Sequence, residues 1–276
     1  MTIPIFDHVM RVHQLGDGTP EVAVVAGIHG DEPCGPLAVE RLLAEAPTVE
    51  RPVKLVIANE EALERGVRYL DDDLNRSFPG AADAESHERR LAYDLVRELR
   101  DCTVLALHST QSTPRPFAVV DAVDAVARAV CPHLPVDVLV ETDGFVEGRL
   151  IDHAHTVEVE CGLQGSDEAV ENAYDLIRGF LAATGVLTAP ESTDRLDAGL
   201  SDEVTVFRLA DKIPKPPAGE YEVFATNFEL VKAGDRFAVY DGEDVAAEVD
   251  FYPVLLSPYG YPDLFGYAAE KVGTLE

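Results

Sequence analysis

Cations are scarce in this sequence. Its 276 residues carry 22 lysines and arginines against 51 aspartates and glutamates, a formal net charge of −29. Only five of the bases are lysines, at positions 54, 212, 215, 232 and 271. Such a chain cannot neutralise a row of phosphates, which argues against nucleic acid as a partner, and it is equally ill-suited to an anionic membrane surface. The acids are spread along the whole chain rather than gathered in one tail. That spread favours a halophilic protein over an ordinary acidic one, because molar salt shrinks the Debye length to roughly 3 Å and blunts surface self-repulsion. Also missing is any apolar run of about 18 residues, so no membrane-spanning helix is expected. The start, Met1-Thr2-Ile3-Pro4-Ile5-Phe6-Asp7, has neither a basic region nor an apolar stretch, and the expected location is the cytoplasm. Cysteines 34, 102, 131 and 161 show no paired spacing and read as reduced, mostly buried thiols.

What is present is a hydrophobic fraction of 46%, enough for a sizeable core. Up to about residue 185, short apolar runs alternate with helical patterns, which predicts an α/β fold: a mostly parallel central sheet with helices on both faces. Strands are expected near 22–28, 53–58, 104–107, 117–120, 136–140 and 156–161, and helices over about 35–46, 85–100, 122–130 and 166–184. A polar linker at 190–199 precedes a region of short strands and turns. The expected organisation is therefore a catalytic domain over 1–189 and a small β-rich C-terminal domain over 200–276.

The chain is organised around Val24-Val25-Ala26-Gly27-Ile28-His29-Gly30-Asp31-Glu32. A β-branched run ends in a glycine, and a histidine and a carboxylate follow, three positions apart. They sit where open α/β sheets place their chemistry, just beyond the carboxyl end of a strand. A second histidine, His108, leaves the run Val104-Leu105-Ala106-Leu107 in the same way. Two histidines and a glutamate (His29, Glu32, His108) make three ligands with a fourth position open, the pattern of a catalytic rather than a structural zinc site. His8, His13, His153 and His155 lack such context and read as lead-in or flanking residues. The long polar segment 59–80 has no convincing apolar period and is expected to be a functional loop. It concentrates Arg68 and Arg76 beside Asn75, which suggests recognition of an anion. The alternative is that these arginines pair with Asp71, Asp72 and Asp73.

Four blocks occur in order: Gly27-Ile28-His29-Gly30-Asp31-Glu32; Asp73-Leu74-Asn75-Arg76-Ser77-Phe78-Pro79-Gly80; Leu107-His108-Ser109-Thr110; and Val159-Glu160-Cys161-Gly162. Together they resemble the succinylglutamate desuccinylase/aspartoacylase family, with a weaker echo in Phe251-Tyr252-Pro253-Val254 and Tyr261. The resemblance implies a zinc-carboxypeptidase-like fold with one Zn2+ per chain, and a hydrolase that cleaves the amide bond of a small anionic N-acyl amino acid. It implies Glu160 as general base, with Glu158 two residues away set aside by the Glu-x-Gly spacing. It also implies Arg68 as the group polarising the acyl carbonyl, Asn75 and Arg76 as the clamp on the substrate carboxylate, and Arg149 and Tyr261 as further substrate-orienting residues. Two departures stand out: Ala106 where an aspartate is common, so that a supporting partner for the metal ligands is absent there or comes from elsewhere, and Asn59-Glu60-Glu61-Ala62 where a proline and an arginine are frequent. A zinc carboxypeptidase acting on short peptides and a non-catalytic metal-binding protein are the competing readings. Homo-oligomerisation stays open.

Overall fold

The computed structural model describes residues 10–145, 147–153, 155–188, 203–216 and 218–275. The expected linker at 190–199, the boundary between the two expected domains, and His8 all lie outside them. The chain opens with strands β1 (Arg11–Leu15) and β2 (Val22–Ala26), helix α1 (Cys34–Glu45), strand β3 (Val53–Ile57), helix α2 (Glu60–Arg65) and helix α3 (His87–Glu98). Strands β4 (Thr103–Thr110) and β5 (Phe117–Val120), helix α4 (Ala125–Val130), strands β6 (Val138–Glu141) and β7 (Thr156–Leu163) and helix α5 (Asp167–Ala183) follow. The remainder is β: β8 (Val204–Pro214), β9 (Tyr221–Val223), β10 (Arg236–Tyr240), β11 (Glu243–Ala246), β12 (Tyr252–Val254) and β13 (Leu264–Leu275).

Ten strands form one mixed sheet in the order β1-β3-β2-β4-β7-β5-β6-β8-β13-β12, and β11-β10-β9 form a small antiparallel one. Its centre is parallel, with β3, β2, β4 and β7 side by side. All five β2 residues are buried, as a parallel strand covered on both faces requires. Because successive side chains point to opposite faces, Val22, Val24 and Ala26 pack with Leu42 of α1 and Ile177 and Phe180 of α5. Ala23 and Val25 pack instead with Leu91 and Leu95 of α3. The helices of the two faces are thus recruited by alternate residues of one strand.

Two elements differ from the sequence expectation. Helix α2 interrupts the supposed loop 59–80; with six residues it is too short to display an apolar period. Its ends are nevertheless marked: the Asn59 side chain accepts from the Ala62 N–H, Glu60 and Glu61 occupy the first turn, and Gly66 closes it in the left-handed region, as capping requires. In the C-terminal region β8 and β13 are longer than the short strands expected there. β8 pairs in parallel with β6, so the main sheet continues through the C-terminal segment. Among the described residues no helix is long and apolar enough to cross a membrane.

Candidate metal centre and active-site cleft

The parallel strands β2 and β4 deliver His29 and His108 to the same end of the sheet. His29 and Glu32 follow β2 in a tight turn, closed by the Glu32 N–H donating to the His29 carbonyl at 3.3 Å. Gly30 cannot be replaced there: a Cβ would lie 2.1 Å from the Ala62 carbonyl carbon of α2. Its N–H donates to the Arg68 carbonyl at 3.1 Å, so this turn also anchors the loop that carries the arginines. His29 Nδ1 is 2.9 Å from Glu32 Oε1, and His108 Nδ1 is 3.2 Å from Glu32 Oε2. The three side chains are buried, and one ligand atom from each lies within 4.8 Å of the others.

Two groups around this triad, Asp73 and Arg68, fix its charge. Asp73 Oδ1 meets His29 Nε2 at 3.0 Å, and Arg68 bridges Glu32 Oε1 at 3.0 Å and Asp73 Oδ2 at 3.2 Å. Burial works against a charged His29, yet the Glu32 and Asp73 carboxylates outweigh it and raise the imidazole to about 9. Burial likewise opposes a charged Glu32, but the two histidines hold it well below the usual carboxylate range. A carboxylate on the far nitrogen of a ligating histidine orients the ring and raises its basicity, and Asp73 holds that position for His29. The donor set of two imidazoles and a carboxylate fits a divalent metal of the zinc class.

Strand β7 runs beside β4, with Ala106 opposite Glu158 and His108 opposite Glu160. The two glutamates meet different surroundings. Glu158 is 1% exposed; it is ion-paired with Arg149 and accepts from Asn75 Nδ2 at 3.0 Å. Burial alone would raise its carboxyl, but Arg149, His108 and Asn75 bring it below the ordinary value. Glu160 lines the cleft, and its Oε2 is buried without a hydrogen-bond partner. Burial, together with Glu32 and Glu158, pushes Glu160 up to about 7 against the pull of His108 and Arg149.

The loop that carries Arg68, Asn75 and Arg76 is held from behind by Glu88 of α3, which is fully buried. Its carboxylate accepts from the backbone N–H groups of Leu70, Asp71 and Asp72 at 2.7, 3.0 and 3.1 Å, and from Asn59 Nδ2 at 3.1 Å. The turn before Arg149 is seated on the same loop. Gly148, at φ +78°, faces the Arg76 carbonyl so closely that a Cβ would stand 2.6 Å from it.

All nine residues singled out from the sequence line one cleft of about 840 Å³, its open mouth included: His29, Glu32, His108, Glu160, Arg68, Asn75, Arg76, Arg149 and Tyr261. The three cleft arginines are not equivalent. Arg68 pairs with Glu32 and Asp73, and Arg149 with Glu158. Among the described residues Arg76 has no carboxylate partner; its guanidinium donates to the Asn75 carbonyl at 2.6 Å. The pairing alternative raised from the sequence therefore describes Arg68 and not Arg76. Asn75 spends one amide N–H on Glu158 and accepts from the Leu150 N–H at 2.9 Å. Tyr261 is half-buried, edge-on against Tyr267 with ring centroids 5.8 Å apart, and its partial removal from water raises its phenol. His13, His153 and His155 do not line the cleft.

Sequence reasoning passed over Asp73 as a partner of His29, and Thr142, Gln164 and Tyr267 as cleft walls. Asp73 was detectable, because it opens the Asp-Leu-Asn-Arg block; the walls come from distant strands and loops with no local motif.

The sequence model of the succinylglutamate desuccinylase/aspartoacylase catalytic domain matches residues 18–129. An N-acyl-aromatic-L-amino acid amidohydrolase (carboxylate-forming) of Xenopus tropicalis is 25% identical, over 87% of this chain and 89% of its own. The fold is shared with a succinylglutamate desuccinylase/aspartoacylase from Rhodobacter sphaeroides, at TM-score 0.75, 18% identity and coverage of 95% of this chain and 89% of that one. Murine aminoacylase 3 gives a TM-score of 0.70 at 22% identity, covering 94% and 98% of the two chains. With the motif blocks gathered in a single cleft on this fold, residues 18–129 carry the catalytic-domain signature of the succinylglutamate desuccinylase/aspartoacylase family.

Proposed function

We propose that this protein is a zinc-dependent amidohydrolase that cleaves an N-acyl amino acid into a carboxylate and a free amino acid. The observation that carries the proposal is the meeting, in one cleft, of the His29–Glu32–His108 set, a glutamate with an unpartnered oxygen, and an arginine without a carboxylate. The name of the Xenopus relative, a carboxylate-forming amidohydrolase, supports the same reaction class. His29, Glu32 and His108 would hold the ion, and zinc bound there would supply Lewis acidity and an acidified water near neutral pH. Glu160 takes the proton of the attacking water on its free oxygen and hands it to the leaving nitrogen. Arg68, fixed at the cleft by Glu32 and Asp73, faces the charge that develops on the acyl oxygen. Arg76 with Asn75 holds the substrate carboxylate, and Arg149 and Tyr261 orient the rest of the molecule.

Seven of the lining residues follow position 200: Leu209, Val254, Leu255, Ser257, Gly260, Tyr261 and Tyr267. A wall of this kind leaves little room for a long peptide and favours the N-acyl amino acid over a carboxypeptidase substrate. A non-catalytic scaffold has no use for the free Glu160 oxygen or the unpaired Arg76. The division into a catalytic unit (1–189) and a β-rich unit (200–276) belongs to the same proposal, supported by a separate C-terminal apolar cluster around Phe237, Phe251 and Phe265. Four free, buried cysteines support the cytoplasm as the compartment.

Protein purified without chelator should hold about one zinc per chain and hydrolyse members of a panel of N-acetyl and N-succinyl amino acids in high salt. Chelation should remove metal and activity together. Faster cleavage of dipeptides than of any N-acyl amino acid would sink the proposal in favour of a peptidase.

The acid excess leads to a second expectation, that the protein is halophilic. Melting followed from molar KCl down to about 50 mM should show a marked loss of stability as self-repulsion is unmasked. A flat profile would make the excess incidental.

A further inference from the structure

We propose that Glu158, from the strand beside the metal centre, is the positioning residue for the His108 ring. The inference rests on the metal site proposed above. Of the two histidines, His29 has both ring nitrogens engaged, by Glu32 and Asp73. His108 has Nδ1 on Glu32, while its Nε2 is buried with no hydrogen-bond partner. A ligating imidazole donates the N–H of its other nitrogen, usually to a carboxylate, and that bond sets tautomer and ring angle. The carboxylate oxygen facing His108 Nε2 is Glu158 Oε1, at 3.8 Å. Strand pairing places it there, because Glu158 stands opposite Ala106 and Ala106 shares a strand face with His108. Ala106 is too short to approach the ring, so the carboxylate comes from the neighbouring strand.

Glu158 is itself held on every side. Asn75 donates to Oε1, Arg149 pairs with Oε2, and its burial prevents water from taking their place. A carboxylate fixed by two donors is a rigid acceptor, and the last 0.8 Å or so to hydrogen-bond range is closed by a small turn of the His108 ring toward it. Glu158 therefore acts on the metal through His108 and touches neither substrate nor ion. The same contacts tie Asn75 and Arg149 to the metal centre, so metal and substrate-orienting residues share one buried carboxylate.

The test is zinc affinity, measured by chelator competition on the full chain in high salt, for the unmodified protein, Glu158→Gln, Arg149→Gln and the double variant. Glu158→Gln should bind zinc about 10- to 100-fold more weakly, the usual cost of losing such a partner, and Arg149→Gln should keep most of its affinity. The double variant should remain as weak as Glu158→Gln. Its buried charges are removed together, so it decides the matter should Glu158→Gln not fold, and melting of the metal-free proteins separates loss of fold from loss of affinity. Unchanged affinity in Glu158→Gln, or recovery in the double variant, would overturn the inference, since Glu158 would then serve only to neutralise Arg149. An unmodified protein that binds no zinc would overturn the metal reading and this inference with it; zinc binding indifferent to Glu158 overturns this inference alone.

Discussion

Replacing Glu160 by glutamine is expected to lower turnover by roughly 10²- to 10⁴-fold, the range of a lost general acid–base group, with fold and zinc content preserved. The reason lies in the difference between two neighbouring carboxylates. Glu160 faces the cleft with an oxygen that makes no hydrogen bond, and its burial among Glu32 and Glu158 holds it at about 7, where a group can both take and return a proton near neutrality. Glutamine fills the same volume and can still contact water, but has no lone pair basic enough to accept its proton. Glu158, tied to Arg149 and Asn75, is kept charged and has no free oxygen for the task. At saturating zinc, Glu158→Gln should therefore cost much less turnover than Glu160→Gln. Steady-state rates of the two variants, with zinc measured in the same samples, check the assignment; the reverse order would exchange the two roles.

The second large effect concerns Arg76. A chain of net charge −29 repels anions at long range, so an anionic substrate is retained only by cations placed within the cleft. Of the three arginines there, two are already matched to carboxylates, which leaves Arg76 to hold the substrate's own. Arg76→Lys keeps the charge but loses the planar fork. It should reduce kcat/KM by about tenfold to a hundredfold, the worth of one charge-assisted hydrogen bond, mainly through KM and with zinc content unchanged. For the unmodified enzyme, the amide analogue of a good N-acyl amino acid should be a poor substrate. Equal hydrolysis of acid and amide would show that the carboxylate is not what the cleft selects.

The parts of the site legible in the sequence were those where a local pattern coincides with a chemical one. His29 and His108 announce themselves because each terminates an apolar run, and a buried parallel strand leaves few other places for a polar residue than its end. The Arg68–Arg76 segment was legible from scarcity, two guanidiniums standing out in an acid-rich chain. Relations between strands were not. That Ala106 faces Glu158 depends on the register of β4 against β7, and pairing of distant segments leaves no mark in either one alone. For the same reason the short strands expected after residue 200 gave no sign that β8 would join β6. Helix α2 was overlooked for a different cause, its length; the capping residues at its two ends were the available signal.

Glu88 carries a consequence for how the enzyme meets its substrate. By gathering three consecutive backbone N–H groups on one buried carboxylate, helix α3 settles the conformation of the arginine loop during folding. A loop ordered only on contact would subtract its ordering entropy, of the order of 1–2 kcal/mol per residue fixed, from the affinity of every substrate alike. Here that term is absent from binding. Candidate substrates are therefore compared by how well they fit a cradle that already exists, and a weak ligand is weak because of its shape and charge rather than because it fails to mould the protein around itself.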